Sequence, residues 1–275
     1  MAKVIMVLLD GCTYKDASEN MGYLEHLCEN QLGAKYKVRG ELPAMSRPLY
    51  ETLLTGLPVY KHGICSNLVC RESACENIFS LCRENGLTTG ASAYFWMSEL
   101  YNKAPFDYIK DRIMIERAKG IHHGIYYYED CYPDSHVFGD GEFIRETYAP
   151  DFLLIHSMNI DNQGHLTGGG TKAYNEVIMK ADVLLSSYIS KWLSLGYEVI
   201  VTADHGMNSN GFHSGNTEAD RTVPLYLFSD RMRTGIFTDK EITQLSIAPL
   251  ICYLLRITPG ESMMDITSSG VHIHC

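Results

Sequence analysis

No run of the chain approaches the ~20 consecutive apolar residues of a membrane-spanning helix, so the sequence offers no candidate span and no membrane partner is expected. Positive charge is also scarce: 23 Lys and Arg stand against 33 Asp and Glu, a formal net charge of −10. A broad basic face is therefore lacking, and binding of a nucleic-acid polymer is not expected. Proline (9) and glycine (23) are too few in 275 residues for a low-complexity or disordered chain. The cysteines form no disulfide framework. They are nine, an odd number, and scattered, with Cys28, Cys82 and Cys252 in apolar or helical contexts, which fits free thiols in a reducing cytoplasm. Cys65, Cys70 and Cys75 recur every five residues, a spacing of no common zinc motif. The opening Met-Ala-Lys-Val-Ile-Met-Val-Leu-Leu-Asp is apolar but short and ends on a carboxylate, so it reads as a buried strand rather than a secretory leader.

What is present is an ordinary globular composition, 45% hydrophobic, enough for one large domain over 1–275 or a core with a modest insertion. Three strands are predicted: Lys3 to Leu9, Asp151 to Met158, and Glu198 to Thr202. Each is a continuous apolar run followed by polar residues or glycine, the pattern of parallel strands buried on both faces. Helical stretches lie between and after them, at Met21 to Asn30, Lys172 to Leu195 and Ile242 to Leu255. The alternation predicts an α/β fold, a mostly parallel central sheet flanked by helices on both faces. The stretch from about 97 to 150 is dense in aromatics and weakly periodic, and is expected to be partly core connection and partly a small cap. His122 and His123 within it carry no motif and are expected at the surface or in the cap.

The chemistry-bearing residues follow the C-terminal ends of the predicted strands, where open α/β sheets bind ligands. Asp10-Gly11 closes the first strand. Asp161 and His165 lie four apart after the second, a spacing that lets both face one cation but also suits a surface turn. Asp204 and His205 close the third, and His213 sits nearby in the glycine-flanked Gly211-Phe-His-Ser-Gly215. Ser46 precedes a predicted helix that Pro48 opens and Gly56 closes. It reads as an N-cap, or as a nucleophile held in the positive potential of the helix start, where an oxyanion and a phosphate are both favoured.

Taken in chain order, Asp10, Ser46, Asp161, His165, Asp204, His205 and His213 resemble the alkaline phosphatase superfamily, and within it the type I phosphodiesterase/nucleotide pyrophosphatase branch. The resemblance extends to Thr52-Leu-Leu-Thr-Gly56-Leu-Pro58, His62-Gly63-Ile64, Tyr94-Phe95-Trp96 and the final Ile247-Ala-Pro-Leu-Ile-Cys-Tyr-Leu-Leu helix. It implies an alkaline phosphatase-like fold and two divalent cations, zinc first, with manganese or iron fitting the same donors. Asp161, His165 and His213 would hold one cation, and Asp10, Asp204 and His205 the other. The implied activity is hydrolysis of a phosphodiester, pyrophosphate, or small phosphate or phosphonate, nucleotide-like substrates included, through phosphoryl transfer to Ser46.

Two departures matter. Leu49 stands where the branch commonly has an Asn that donates to the phosphoryl oxygen, so stabilisation must come from elsewhere. Arg47 is the side-chain candidate, and backbone N–H groups of the Ser46 helix are another. Leu49, Tyr94, Phe95 and Trp96 are the candidate substrate-pocket residues. Ser46-Arg-Pro-Leu-Tyr50 has Tyr where the sulfatase maturation motif needs Arg, which disfavours sulfatase chemistry. Alternatives are a phosphonoacetate-type C–P hydrolase, and a degenerate member that binds metal without turnover, for which Leu49 is the support.

Overall fold

In the computed structural model, residues 2–274 are described. Nine strands form one sheet: β1 (Lys3–Leu9), β2 (Ala34–Arg39), β3 (Thr89–Tyr94), β4 (Ile113–Ile115), β5 (His123–Tyr127), β6 (Phe152–Ser157), β7 (Tyr197–Thr202), β8 (Thr222–Phe228) and β9 (Gly235–Thr243). Their order is β4-β5-β3-β6-β1-β7-β8-β2-β9. The run from β5 to β7 is parallel throughout, while β4, and β8 on both of its sides, pair antiparallel. The sheet is thus mixed but mostly parallel.

Among the described residues, the α-helices are α1 (Tyr14–Asn20), α2 (Gly22–Glu29), α3 (Ser46–Thr55), α4 (Val59–His62), α5 (Ile78–Glu84), α6 (Trp96–Tyr101), α7 (Asp134–Tyr148), α8 (Asn159–Thr167), α9 (Lys172–Ser194), α10 (Glu218–Arg221) and α11 (Ile247–Leu255). Helices α7 and α9 pack on one face of the sheet, with α1 and α2 against α9; α11 packs on the other, with α3 and α5 against it. Both faces are covered, which is why β1 reads Lys-Val-Ile-Met-Val-Leu-Leu with no alternation and is buried from Val4 onward. None of the described helices is long and apolar enough to cross a membrane.

Three expectations are corrected. Met45, not Ser46, caps α3; Ser46 is its first helical residue and Pro48 its third, and Gly56 closes it at φ 67°. Ile242 and Thr243 finish strand β9 instead of opening a helix, because they continue the pairing with Val38 and Arg39 of β2, and the helix proper starts at Ile247. His122 and His123, expected at the surface or in the cap, are buried, His123 stacking on Tyr148 at 3.9 Å. Around them β4 and β5 extend the sheet, and α7 packs on β3 and β6.

The register places the site. Leu9 pairs with Ser157 of β6, and Leu8 with Thr202 of β7, so three neighbouring parallel strands end level with one another. Asp10, α8 and Asp204 begin where those strands stop.

Candidate metal centre

Six side chains far apart in sequence converge here. Asp10 follows β1. Asp204 and His205 follow β7, and all three are fully buried. Asp161 and His165 are one turn apart on α8, with Asp161 Oδ2 3.3 Å from His165 Nε2. His213 comes from the loop after β7, its Nε2 3.2 Å from His165 Nε2 and 3.8 Å from Asp161 Oδ1. His205 Nε2 lies at the centre, 3.4 Å from Asp10 Oδ1 and 3.3 Å from Asp204 Oδ2. The tightest triads, with donor atoms all within 4.8 Å, are Asp10/Asp204/His205 and Asp161/His205/His213. His205 thus stands where the resemblance set His165 beside Asp161 and His213. His165 closes the open side, its side chain 43% exposed.

The hydrogen bonds show which atoms are left for a cation. His165 gives its Nδ1–H to Gly211 O (2.8 Å), His205 to Gly206 O (2.9 Å) and His213 to Ala44 O (2.8 Å). Each imidazole therefore turns Nε2 inward, the arrangement that readies a histidine to ligate once that nitrogen is free of its proton. The carboxylates are divided in the same way. Asp204 Oδ1 accepts from Gly11 N–H (3.2 Å), and Asp161 Oδ2 faces His165. The opposite oxygens, Asp10 Oδ1, Asp161 Oδ1 and Asp204 Oδ2, are buried without any hydrogen-bond partner. Unpaired buried acceptors are costly, and three of them gathered beside the imidazoles make a cavity short of positive charge. Among the described residues, no Lys or Arg forms an ion pair with any of the three.

The proton affinities carry the same imprint. Burial, then repulsion from Asp204 and Asp161, pushes Asp10 well above the usual carboxylate range, and burial raises Asp204 to about 7. For Asp161 burial acts upward too, but the His165 hydrogen bond and the neighbouring imidazoles outweigh it and hold the group low. The same hydrogen bond lifts His165 to about 9. Burial holds His213 down to about 4 and His205 below its ordinary value. A nitrogen and oxygen donor set of this kind suits two divalent cations sharing the cavity.

Ser46 presents its hydroxyl to this cavity, Oγ 3.0 Å from His205 Nε2. Helix α3 holds it there, and the α3 N-terminus is secured by Asn67, whose Oδ1 accepts the Arg47 N–H at 3.0 Å. That bond removes one backbone donor that had been a candidate for the phosphoryl group. The Arg47 side chain is committed as well: Nη2 pairs with Glu99 (2.7 Å), Nη1 donates to Val69 O (2.8 Å), and the guanidinium lies 4.6 Å from the Trp96 ring. The structure thus gives no support to Arg47 as phosphoryl stabiliser, because its charge is already neutralised in a buried pair. Leu49 does not line a pocket either. It is fully buried in a small apolar cluster with Ala44 and Val59. Tyr94 ends β3 and Phe95 and Trp96 follow it at the same edge of the sheet, Tyr94 buried and the other two half-buried, with Trp96 6.4 Å from Tyr50.

Two contacts of Asp10 escaped the sequence reading. Its Oδ2 accepts from the Tyr50 hydroxyl and from His156 Nε2 (3.0 Å). Both carried a signal. Tyr50 lies one turn after Ser46, on the same side of α3, and His156 is an imidazole inside a strand buried on both faces. A cavity of about 620 Å³, lined by Asp134, Asn159, Gln163, Met179, Val183 and Leu184, opens on the side of α8 away from Asp161 and His165.

A mostly parallel α/β sheet with a hydroxyl beside a carboxylate–imidazole cage at its strand ends defines a class, the phosphate-ester enzymes of the alkaline phosphatase superfamily. The chain matches the profile of the type I phosphodiesterase/nucleotide pyrophosphatase family over residues 4–137 and 71–248, and it belongs to that family. Among curated proteins it is similar to the catalytic subunit of human GPI ethanolamine phosphate transferase 3, 27% identical over 131 residues, 44% of this chain and 12% of that protein. It is also similar to GPI ethanolamine phosphate transferase 2 of Schizosaccharomyces pombe, 28% identical over 145 residues, 46% of this chain and 19% of that protein. The matches therefore span less than a fifth of these relatives' lengths. Among solved structures, human ectonucleotide pyrophosphatase/phosphodiesterase 5 superposes with TM-score 0.77 at 14% identity, covering 99% of this chain and 100% of that one. The inactive murine form in complex with AMP gives 0.74 at 14%, with both chains covered at 100%. A 2-O glycosaminoglycan sulfatase gives 0.68 at 13%, covering 95% and 72%. At these identities the likeness is one of fold.

Proposed function

We propose that the chain is a two-cation phosphodiesterase that transfers the phosphoryl group of a small, nucleotide-like ester to Ser46 and then to water. The observation that carries this reading is the set of three inward Nε2 atoms and three unpartnered carboxylate oxygens around a cavity that also receives Ser46 Oγ. Asp10, Asp161, His165, Asp204, His205 and His213 would hold the ions, with zinc the best match to the donors. Bound there, two divalent cations would lower the pKa of a hydroxyl and screen charge on the attacking and leaving oxygens. The chain's own contribution is placement. Helix α3 holds Ser46 Oγ against His205, the cage is dry except on the His165 side, and Tyr94, Phe95 and Trp96 supply an aromatic wall on which a planar leaving group can rest. In the first half-reaction the Oγ–P bond forms as the bond to the leaving oxygen breaks; in the second, water takes the phosphoryl group from Ser46.

The names of the curated relatives favour a second reading, in which an alcohol rather than water accepts the phosphoryl group. Both readings share the Ser46 step and separate at the acceptor. The test is turnover of p-nitrophenyl phosphate, bis-p-nitrophenyl phosphate, p-nitrophenyl thymidine monophosphate and phosphonoacetate by zinc-loaded protein, with and without an added sugar alcohol as acceptor. The hydrolase reading predicts diester cleavage independent of the alcohol, and the transferase reading predicts an alcohol-bound phosphoryl product. Ser46→Ala should lose at least ~10³-fold in rate with its metal content unchanged. Full activity in that variant would remove Ser46 as nucleophile.

A further inference from the structure

Asp10 differs from the other two cage carboxylates in having one oxygen tied twice. Its Oδ2 accepts from both Tyr50 and His156, which leaves Oδ1 alone without a partner. The hydrogen bonds fix the tautomer of His156. Its Nδ1 accepts the Tyr94 N–H at 3.4 Å, so its Nε2 carries the proton and donates to Asp10. It is thus the reverse of His165, His205 and His213, which donate from Nδ1 to a backbone carbonyl and turn Nε2 to the cavity. The same cavity holds three imidazoles set to ligate and one set to donate.

We infer that Tyr50 and His156 form a positioning clamp that holds Asp10 to a single inward oxygen and so sets the affinity of the cation held by Asp10, Asp204 and His205. The inference rests on the two-cation reading of the site. A carboxylate's terminal torsion is broad and roughly two-fold, so an unclamped Asp10 can rotate either oxygen, or both, toward an ion. Two donors on Oδ2 remove that freedom. The clamp is itself braced. The Tyr50 and His156 rings pack edge to face at 4.8 Å, and the Tyr127 hydroxyl donates to the His156 carbonyl at 2.8 Å. Both side chains are fully buried, so water does not compete for Oδ2. Tyr50 also ties the ligand to the nucleophile, because it sits one turn beyond Ser46 on the same helix. Neither residue hydrogen-bonds to Ser46 Oγ, which bonds to His205. They act through Asp10.

The experiment is chelator competition on the full-length protein loaded with zinc, read by elemental analysis at graded chelator concentrations. Wild type is expected to release two ions per chain. Tyr50→Phe and His156→Leu should release one of them at ~10–100-fold lower chelator, the range seen when partners of metal ligands are removed, with the other unchanged. His156→Gln should stay close to wild type, since its amide nitrogen can replace Nε2 as donor. Retention of both ions at wild-type strength in Tyr50→Phe and His156→Leu would overturn the clamp, as would a His156→Gln as weak as His156→Leu. Thermal unfolding of the stripped proteins checks folding, and Tyr50→Phe, which removes a single oxygen, carries the test if His156→Leu is unstable. If wild type itself takes up no ion, the two-cation reading fails and the clamp with it; a clamp failure alone leaves wild-type uptake intact.

Discussion

At the scale of single residues, the division of work among polar atoms decides what each side chain can do. Arg47 illustrates this. By position, next to Ser46, it looked suited to a phosphoryl oxygen, but position in sequence says nothing about which partner a guanidinium has already taken. Glu99, more than fifty positions away, holds it. Glu99 also accepts from Phe106 N–H (3.0 Å) and Cys70 Sγ (3.2 Å), so the pair anchors the loops around α6. Glu99→Ala should therefore act on stability, costing about 3–5 kcal/mol because it leaves a buried guanidinium unpaired. Urea unfolding measures this; a loss below ~1 kcal/mol would show that Arg47 finds another partner. The cage residues, by contrast, could be read only as a set: Asp161 and His165 alone also suit a surface turn, and it is the whole chain-order pattern that carries the family resemblance. Tyr50 and His156 were not legible, because a Tyr in a helix and a His in a strand also read as filling for the core.

At the scale of elements, the site depends on close approaches that particular turns allow. Gly11 has φ 70°, and a Cβ there would lie 2.8–2.9 Å from Asp161 Oδ1, Cα and Cβ. Gly11→Ala should cost about 1–3 kcal/mol and push α8 away, so zinc affinity should fall with stability. A variant of wild-type stability and affinity would mean that the β1–α8 contact is looser than it stands. Helix α4 ends on His62, whose Nε2 lies 3.0 Å from Thr52 Oγ1 and whose Nδ1 accepts the Ile64 N–H (3.1 Å). Burial, then the Arg71 charge, holds His62 down to about 4, below its ordinary 6.5. The folded state thus favours the neutral ring. Its contribution is fully present above about pH 6.5 and fades as pH falls through 4. The melting temperature of wild type should drop more steeply between pH 6.5 and 4 than that of His62→Gln; parallel curves would contradict the assignment. Element boundaries were the least legible part of the fold. Ile242 and Thr243 have the apolar spacing of a helix start, and only pairing with β2, two hundred residues earlier, makes them strand.

For the whole molecule, the central parallel strands β6-β1-β7 were readable, because continuous apolar runs that stop at polar residues or glycine are the mark of strands buried on both faces, whereas β3 carried no such run. The edges were not readable. Strands β4 and β5 come from a stretch whose aromatics hide any period, and β8 turns antiparallel through contacts that no local pattern shows. The assembled fold brings three carboxylates into one buried cavity, and their mutual repulsion should weaken it unless cations are bound. Zinc at a hundred times its dissociation constant should then add about 2.7 kcal/mol of stability, several degrees in melting temperature. The most direct test of the central claim is the zinc content of the full-length protein after stripping, reloading and removal of excess. The account predicts two ions per chain, with a double Asp10→Asn, Asp161→Asn variant retaining neither. A wild-type content near zero, or a double variant that still holds two, would contradict it.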